Sequence, residues 1–546
     1  MVCLYLSYNF INDILFNEFY FFIKFIAFVL YICKFNFFNF IMFIILYLFF
    51  GLILIFFLFF NKKFLNLFKF FLFNLSVFYF VIIVYCYNIS SFFPLYYIYY
   101  KLNWFGYILN IEYNIAIDNL SLIFLLLTSL LIPFCLLISW YNIYYSTKYF
   151  FFYFFNFRIF INKYFSAVDI LFFYFSFEVL LIPMYLLIGY WGARERKIHA
   201  SYLFFYLHFL GSLLMLIALL FCHSSFGSTN LLFLSNVFLS TYREIFIWIL
   251  FFIDFQIKIP MMPVHLWLPE AHVESPTSGS VLLAGVLLKL GTYGMLRFLL
   301  FLFPFASLLF SPLIFLLSFI AILYGCLTTL RQIDLKKIIA YSSVIHMNYL
   351  MFGLFSFNLQ GLIGSVILMV GHGFVSGGLF LSVGVLYDRY HTRLIKYYGG
   401  LNYYMPIFST IFLILTLGNI SFPGTISFIG EFLTLLGILF VNFSFTVIIF
   451  FSMILSTCYA LWLYNRLFSG FLLKIKKFII LLILGIHYKN IIFSRYMIIN
   501  FTDVNVREFF IFVPLIFFII YFGINPYLFI SLCEYYFVMM FQLNFF

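Results

Sequence analysis

Apolar runs of about 20 residues at 38–60, 119–140, 201–222 and 510–531 decide the solvent this chain must fold in. Each is long enough to cross a hydrocarbon core of about 30 Å as a helix. Only 8% of the 546 residues are charged, where soluble domains carry about 25%. In lipid the backbone must satisfy its own polar groups, and the strand alternation of a membrane barrel is absent. The chain therefore reads as an all-α, polytopic membrane protein.

Fourteen core spans are predicted, at 38–60, 68–88, 119–140, 149–166, 168–189, 200–222, 243–263, 278–299, 305–328, 337–354, 360–386, 406–440 (broken), 445–468 and 510–531. The segment 19–33 reads as either an additional N-terminal span or an interfacial helix. Span four carries Arg158 and Lys163, which must snorkel or lie buried in protein. Basic residues crowd alternate loops: Arg194, Arg196 and Lys197; Arg331, Lys336 and Lys337; Arg389, Arg393 and Lys396; Lys474, Lys476 and Lys477. The loops near 223–241, 355–359 and 440–444 hold no Lys or Arg. The basic loops share the positive-inside face, which puts both ends of the core outside.

The net charge of +12 is explained by this topology and not by nucleic acid. Phe (91) and Tyr (44) are over-used where Leu or Ala would serve a span equally well, which points to an A/T-rich organelle genome. The eight cysteines form no C-x-x-C pair and lack iron–sulfur or zinc spacing. The N-terminus carries Asp13 and Glu18 and no basic region, so it does not read as a cleavable signal.

Against this background four ionisable residues stand inside spans: Glu178, Lys258, Lys289 and Glu431. A charge at bilayer depth costs at least about 2.5–3.5 kcal/mol on insertion scales, so such residues mark a function. Two acids and two bases on four spans are the arrangement of a proton path. Lys258 is the natural partner for Glu178, and a static salt bridge is the bland alternative. Lys289 lies mid-span among Gly285, Gly291 and Gly294, which allow close packing or water, and Arg297 marks the end of that span. His346 and His372 are relay candidates or hydrogen-bonded core histidines. Asp254, one turn before Lys258, is either a relay member or a local counter-ion.

Spans seven and twelve are both interrupted, by Pro260, Pro263 and Pro269 and by Pro423–Gly424. Lys258 and Glu431 are 431 − 258 = 173 residues apart, and Glu178 and His346 are 346 − 178 = 168 apart. An offset of five spans makes two such halves inverted repeats, as in transporters built around broken helices. The loop HLWLPEAHVESPTSGS contains His265, Glu270, His272 and Glu274 but no H-E-x-x-H, so it reads as structural and not as a metal site. GHGFVSGG follows a helix and not a strand, which excludes a dinucleotide loop.

KIPMMPVHLWLPEAHVESPTSGSVLLAGVLLKLGTYG, with FEVLLIPMYLLIGYWG, LRQIDLKKIIAYSSVIHMN, GHGFVSGGLF, SFPGTISFIGEF and VREFFIFVPLIFFIIYFGINP, resembles the antiporter-like membrane-arm subunits of mitochondrial NADH:ubiquinone oxidoreductase (respiratory complex I). These are relatives of multisubunit sodium/proton antiporters, and HVESPTSGSVLLAGVLLKLG favours the subunit 4 branch. The resemblance covers roughly 110–440 well, plus the last helices. It implies two half-channels, with Glu178 and Lys258 as the essential pair, Lys289 joining the halves, Glu431 as exit carboxylate and His346 and His372 as polar stations. It also implies no redox cofactor in this chain: FMN, iron–sulfur clusters, NADH and ubiquinone would bind other subunits. Implied partners are other membrane-arm subunits, especially antiporter-like subunits 2 and 5, accessory subunits and lipids, in the mitochondrial inner membrane. Asp254, Gln256, Arg158, the long N-terminus and the segment 470–505 depart from the pattern. A cation/proton antiporter without a redox partner is the alternative, and a spacer that has lost transport is a third reading.

The organisation expected is an N-terminal extension with the first core helices (1–118), a third core helix (119–148), a first five-helix half (149–299), a second (300–470), an inside-facing insertion (471–509) and a C-terminal helix and tail (510–546).

Overall fold

A computed structural model describes residues 65–90, 98–105, 111–143, 145–234, 239–470 and 502–544. The chain divides into two compact units, 1–79 and 80–546, and of the first only the start of one helix is described. The predicted span at 38–60, the segment 19–33 and most of the 471–509 insertion lie outside the described residues.

Every other predicted span has a helix. They are α1 (Leu65–Ser90), α2 (Asn119–Asn142), α3 (Thr147–Ser166), α4 (Ile170–Trp191), α5 (Lys197–Phe226) and α6 (Thr241–Lys258), which leads through a break into the short α7 (Trp267–Glu274). Then come α8 (Thr277–Leu302), α9 (Pro304–Arg331), α10 (Leu335–Leu354), α11 (Leu359–Tyr390), the broken pair α12 (Pro406–Asn419) and α13 (Ile426–Val441), α14 (Phe443–Phe468) and α15 (Val506–Ile524). Eight of these are long and apolar enough to cross a membrane by length and composition. The breaks fall where proline withdraws backbone donors, at 259–266 and 420–425.

Two elements correct the sequence reading. The predicted last span at 510–531 is two helices, α15 and α16 (Tyr527–Asn544), because Pro526 cannot continue the hydrogen-bond ladder. The chain is also not purely helical: β1 (Ile98–Phe105) and β2 (Ile111–Ile117) form an antiparallel hairpin with Tyr100 opposite Ile115. β2 docks on the turn before α4, where Val168 N donates to Asn114 O (3.2 Å) and Asn114 N to Asp169 Oδ2 (3.2 Å).

The three described basic loops converge on one face. Ala193 N donates to Glu274 O (3.1 Å), Lys336 Nζ to Ser275 O (2.8 Å), Arg393 Nη1 to Val273 O, and Leu335 N to Arg393 O (2.9 Å). Lys336 and Arg393 are nonetheless buried, their charges spent on carbonyls at the C-terminal end of α7, Ser275 O and Val273 O. Burial lowers the Arg393 pKa, but a guanidinium remains charged.

Tertiary pairing also exposes the internal repeat. Asp169, the residue before α4, bridges Asn230 after α5, and Asp334, the residue before α10, bridges Leu394 after α11. The offsets are 334 − 169 = 165 and 394 − 230 = 164. The second bridge lies on the basic face and the first on the opposite one, as inversion of the two halves requires.

Candidate proton-conducting site

α8 is almost wholly enclosed by its neighbours, and its small residues explain how. A Cβ at Gly285 would lie 2.5 Å from Leu131, at Gly291 2.8 Å from Ile259, and at Gly294 2.4 Å from Phe255. Small residues let α2 and α6 approach the helix that carries Lys289. Two π-helical stretches, Leu283–Leu287 and Met295–Leu299, flank that lysine. Such wide turns recur at functional sites because they leave backbone groups open to other partners. Lys289 Nζ donates to Ala284 O, in the first of these stretches, and lies 2.8 Å from His372 Nδ1 on α11.

From His372 the polar line continues into the second half. The His372 and His346 ring centroids are 5.7 Å apart. His346 Nδ1 lies 3.0 Å from Glu431 Oε1 and Nε2 lies 3.0 Å from Asn419 Oδ1. An amide oxygen only accepts, so Nε2 carries a proton. Nδ1 and Glu431 then share one proton between them, as imidazole with carboxylic acid or as imidazolium with carboxylate. Asn419 ends α12 and Glu431 stands in the second turn of α13, so the helix break brings both to His346.

In the first half the pairing differs from the expectation. Lys258 Nζ forms its ion pair with Asp254 Oδ2 at 2.5 Å, and Glu178 is not its partner. Both members of the pair are buried, whereas Glu178 is half-buried on α4, beside Ser212 of α5 and close enough for the Lys258 charge to act on it. A lysine at the end of a helix meets the residue one turn back first. The ammonium also sits 3.5 Å from the centroid of the Phe177 ring, a cation–π contact. Lys258 packs against the helix that carries Lys289: its Cβ faces Gly291, two residues beyond that lysine.

Arg297 does not mark an end of the span. It is buried, and its Nη1 donates to Asp118 Oδ2 (2.8 Å) and to the Tyr293 hydroxyl (2.6 Å). Asp118 caps α2 and accepts from Ser121 N (3.0 Å), so one carboxylate joins the start of α2 to α8. Arg158 is likewise buried in protein. Residues that escaped the sequence reading are Asn419, Asp118 and His208. The first two lie at helix breaks and caps, where no periodicity distinguishes them.

The loop HLWLPEAHVESPTSGS sends its side chains to different elements. His265 packs edge-on to Tyr324, His272 stacks on Phe380, Glu270 pairs with Lys337 (3.4 Å) and Glu274 accepts from Arg194 N (3.2 Å). Among the described residues no group of three or more His, Cys, Asp or Glu is placed to hold a metal ion.

Inverted helical halves, two broken helices and a buried acid–amine–imidazole line define the class of antiporter-like membrane subunits. Residues 167–457 match the family described as NADH:quinone oxidoreductase/Mrp antiporter, TM. The chain is 50% identical over 422 residues to "NADH-ubiquinone oxidoreductase chain 4" of Marchantia polymorpha, covering 77% of this chain and 81% of that one. It therefore belongs to the NADH-ubiquinone oxidoreductase chain 4 family. A chain of respiratory complex I from Thermus thermophilus is 26% identical with a TM-score of 0.74, covering 86% of this chain and 94% of that chain. The Mrp complex from Dietzia sp. shares the fold at 17% identity and a TM-score of 0.72, with 87% and 92% covered.

Proposed function

We propose that this chain is a proton-pumping membrane-arm subunit of a NADH:ubiquinone oxidoreductase in the mitochondrial inner membrane. Oxidation of NADH by ubiquinone, with the flavin and iron–sulfur groups it needs, belongs to other subunits, and this chain's residues move protons. Its neighbours in the assembly are antiporter-like subunits 2 and 5.

The observation that carries the reading is the line Lys289–His372–His346–Glu431, buried throughout and ending at a helix break. Protons are taken up near Glu178 and Lys258, cross to Lys289 and leave through Glu431, with Asp254 as counter-ion of the first lysine. Moving a charge against the membrane potential takes about 2.3 kcal/mol per 100 mV, so a continuous wire would leak. The line has two interruptions where control can act. No hydrogen bond joins Lys258 to Lys289, and both His346 nitrogens are engaged away from His372. A proton crosses the whole path only when Lys258 leaves Asp254 and His346 leaves Glu431 or Asn419.

The test is pumping by the assembled complex in vesicles, followed with a pH-sensitive dye on addition of NADH and ubiquinone. E178Q, K289M and E431Q should each abolish coupled pumping while the complex still assembles. Wild-type pumping by all three would overturn the path. Co-purification of the chain with flavin- and iron–sulfur-bearing subunits separates this reading from an antiporter without a redox partner.

A further inference from the structure

The first half contains a buried histidine that the path above does not use. His208 stands on α5 with 4% of its surface exposed, and neither ring nitrogen has a hydrogen-bond partner. A buried imidazole costs free energy unless its polar atoms are satisfied, so an unpartnered one needs a reason. Its surroundings are the charged centre itself. The ring lies edge-on to Trp267 (centroids 4.4 Å), Phe204 (4.5 Å) and Phe177 (6.1 Å), and Phe177 is the ring beneath the Lys258 ammonium. The same face of α5 carries Gly211, whose absent Cβ leaves room for Asp254 Oδ1 at 3.0 Å, Ser212 beside Glu178, and Met215, whose sulfur is 4.0 Å from Lys258 Nζ. The charge of Lys258 reaches His208.

The repeat supplies an independent reason. At the offset of 164 set by the backbone bridges, Ser201, His208 and Ser212 of α5 fall on Ser365, His372 and Ser376 of α11. His372 is the station that touches Lys289. Each half thus holds a buried imidazole at the equivalent place on the equivalent helix, His372 touching Lys289 and His208 within reach of the Lys258 charge.

We propose that His208 is a proton-holding residue of the first half, exchanging a proton with Lys258 as His372 does with Lys289. In the step, one N–H bond of the Lys258 ammonium breaks and one forms on a free His208 ring nitrogen. This leaves a neutral amine beside ionised Asp254, and an imidazolium. The reverse step restores both, and no electrons move. The groups that bias it are Lys258 with its counter-ion Asp254 from α6, and the Phe177 and Trp267 rings that pack on the imidazole. Neutralising Lys258 frees it from Asp254, which is the release that transfer towards Lys289 requires.

This inference rests on the proton path proposed above, so the experiment includes K258M beside H208Q and H208F, all in the intact complex in vesicles between pH 6 and 9. H208Q keeps size and polarity but cannot be protonated. It is expected to assemble and to pump about a hundredfold more slowly, at the low end of what a lost acid–base group costs, with the wild-type dependence between pH 6 and 8 flattened. H208F should behave the same way. Wild-type rates and pH profile in H208Q overturn the role of His208, as does failure of H208Q to assemble, which would make the residue structural. Wild-type pumping by K258M would overturn the underlying path, whereas its loss beside a normal H208Q overturns only the present inference.

Discussion

The Lys258 ammonium pairs with Asp254 at 2.5 Å, one turn away on its own helix, and leaves Glu178 without an ion-pair partner on the helix opposite. The acid that would receive or deliver a proton is thereby kept apart from the amine by a counter-ion that travels with the lysine. Asp254 Oδ1 makes no hydrogen bond, so the pair is held by one oxygen only.

Asp254→Asn should expose how much depends on that counter-ion. Removing one partner of a buried ion pair costs about 3–5 kcal/mol because the other charge is left uncompensated. Lys258 then sheds its proton or turns toward Glu178. Pumping in vesicles should fall at least tenfold, and D254E should retain most of it. Equal pumping by D254N and wild type would remove Asp254 from the mechanism.

Asn419→Leu tests the orientation of His346. Leucine has a similar volume but cannot accept from Nε2, so the shared proton with Glu431 is no longer fixed at Nδ1. Loss of one such hydrogen bond is worth about 1–3 kcal/mol, and pumping should slow five- to a hundredfold by that measure. Assembly, followed on native gels, should be unchanged.

The Arg297–Asp118 pair should behave as a structural joint. R297L alone leaves a buried carboxylate and D118L alone a buried guanidinium, each expected to deplete assembled complex. The double variant, apolar on both sides, should recover much of the loss, since replacing a whole buried pair is often neutral. Thermal inactivation of the four forms gives the coupling, and strictly additive losses would refute it.

Two glycines in one region should respond differently. Gly430 lies against α11, where a Cβ would be 2.7 Å from both Leu368 N and Leu368 Cβ. G430V should push α13 away and separate Glu431 from His346, with loss of pumping or assembly. Gly424 has φ +93° and open space around it, so G424A should cost only the left-handed strain of about 1–2 kcal/mol. The amount of assembled complex after mild heating separates the two.

Hydropathy alone was enough to place every described core helix. A span of about 20 apolar residues has no other way to satisfy its backbone in lipid. The ionisable residues were legible for the same reason: against so apolar a background, Glu178, Lys258, Lys289 and Glu431 stand out without any knowledge of contacts. The repeat was visible only faintly, as offsets of 168 and 173, until the paired bridges gave 165 and 164. The extra helix α16 and the β-hairpin carry only local signals, Pro526 and a period-two alternation, which hydropathy over a 20-residue span averages away.

What the linear chain determined is the medium, the helices and which side chains are out of place in them, because each depends on neighbours within a few turns. Which charge meets which was decided only by tertiary packing. Lys258 goes to Asp254, Arg297 turns inward to Asp118 and His346 lies between Glu431 and Asn419 because glycine contacts and helix breaks set the distances between helices. A buried charge takes the partner that the backbone brings within reach, and that reach is a property of the folded bundle.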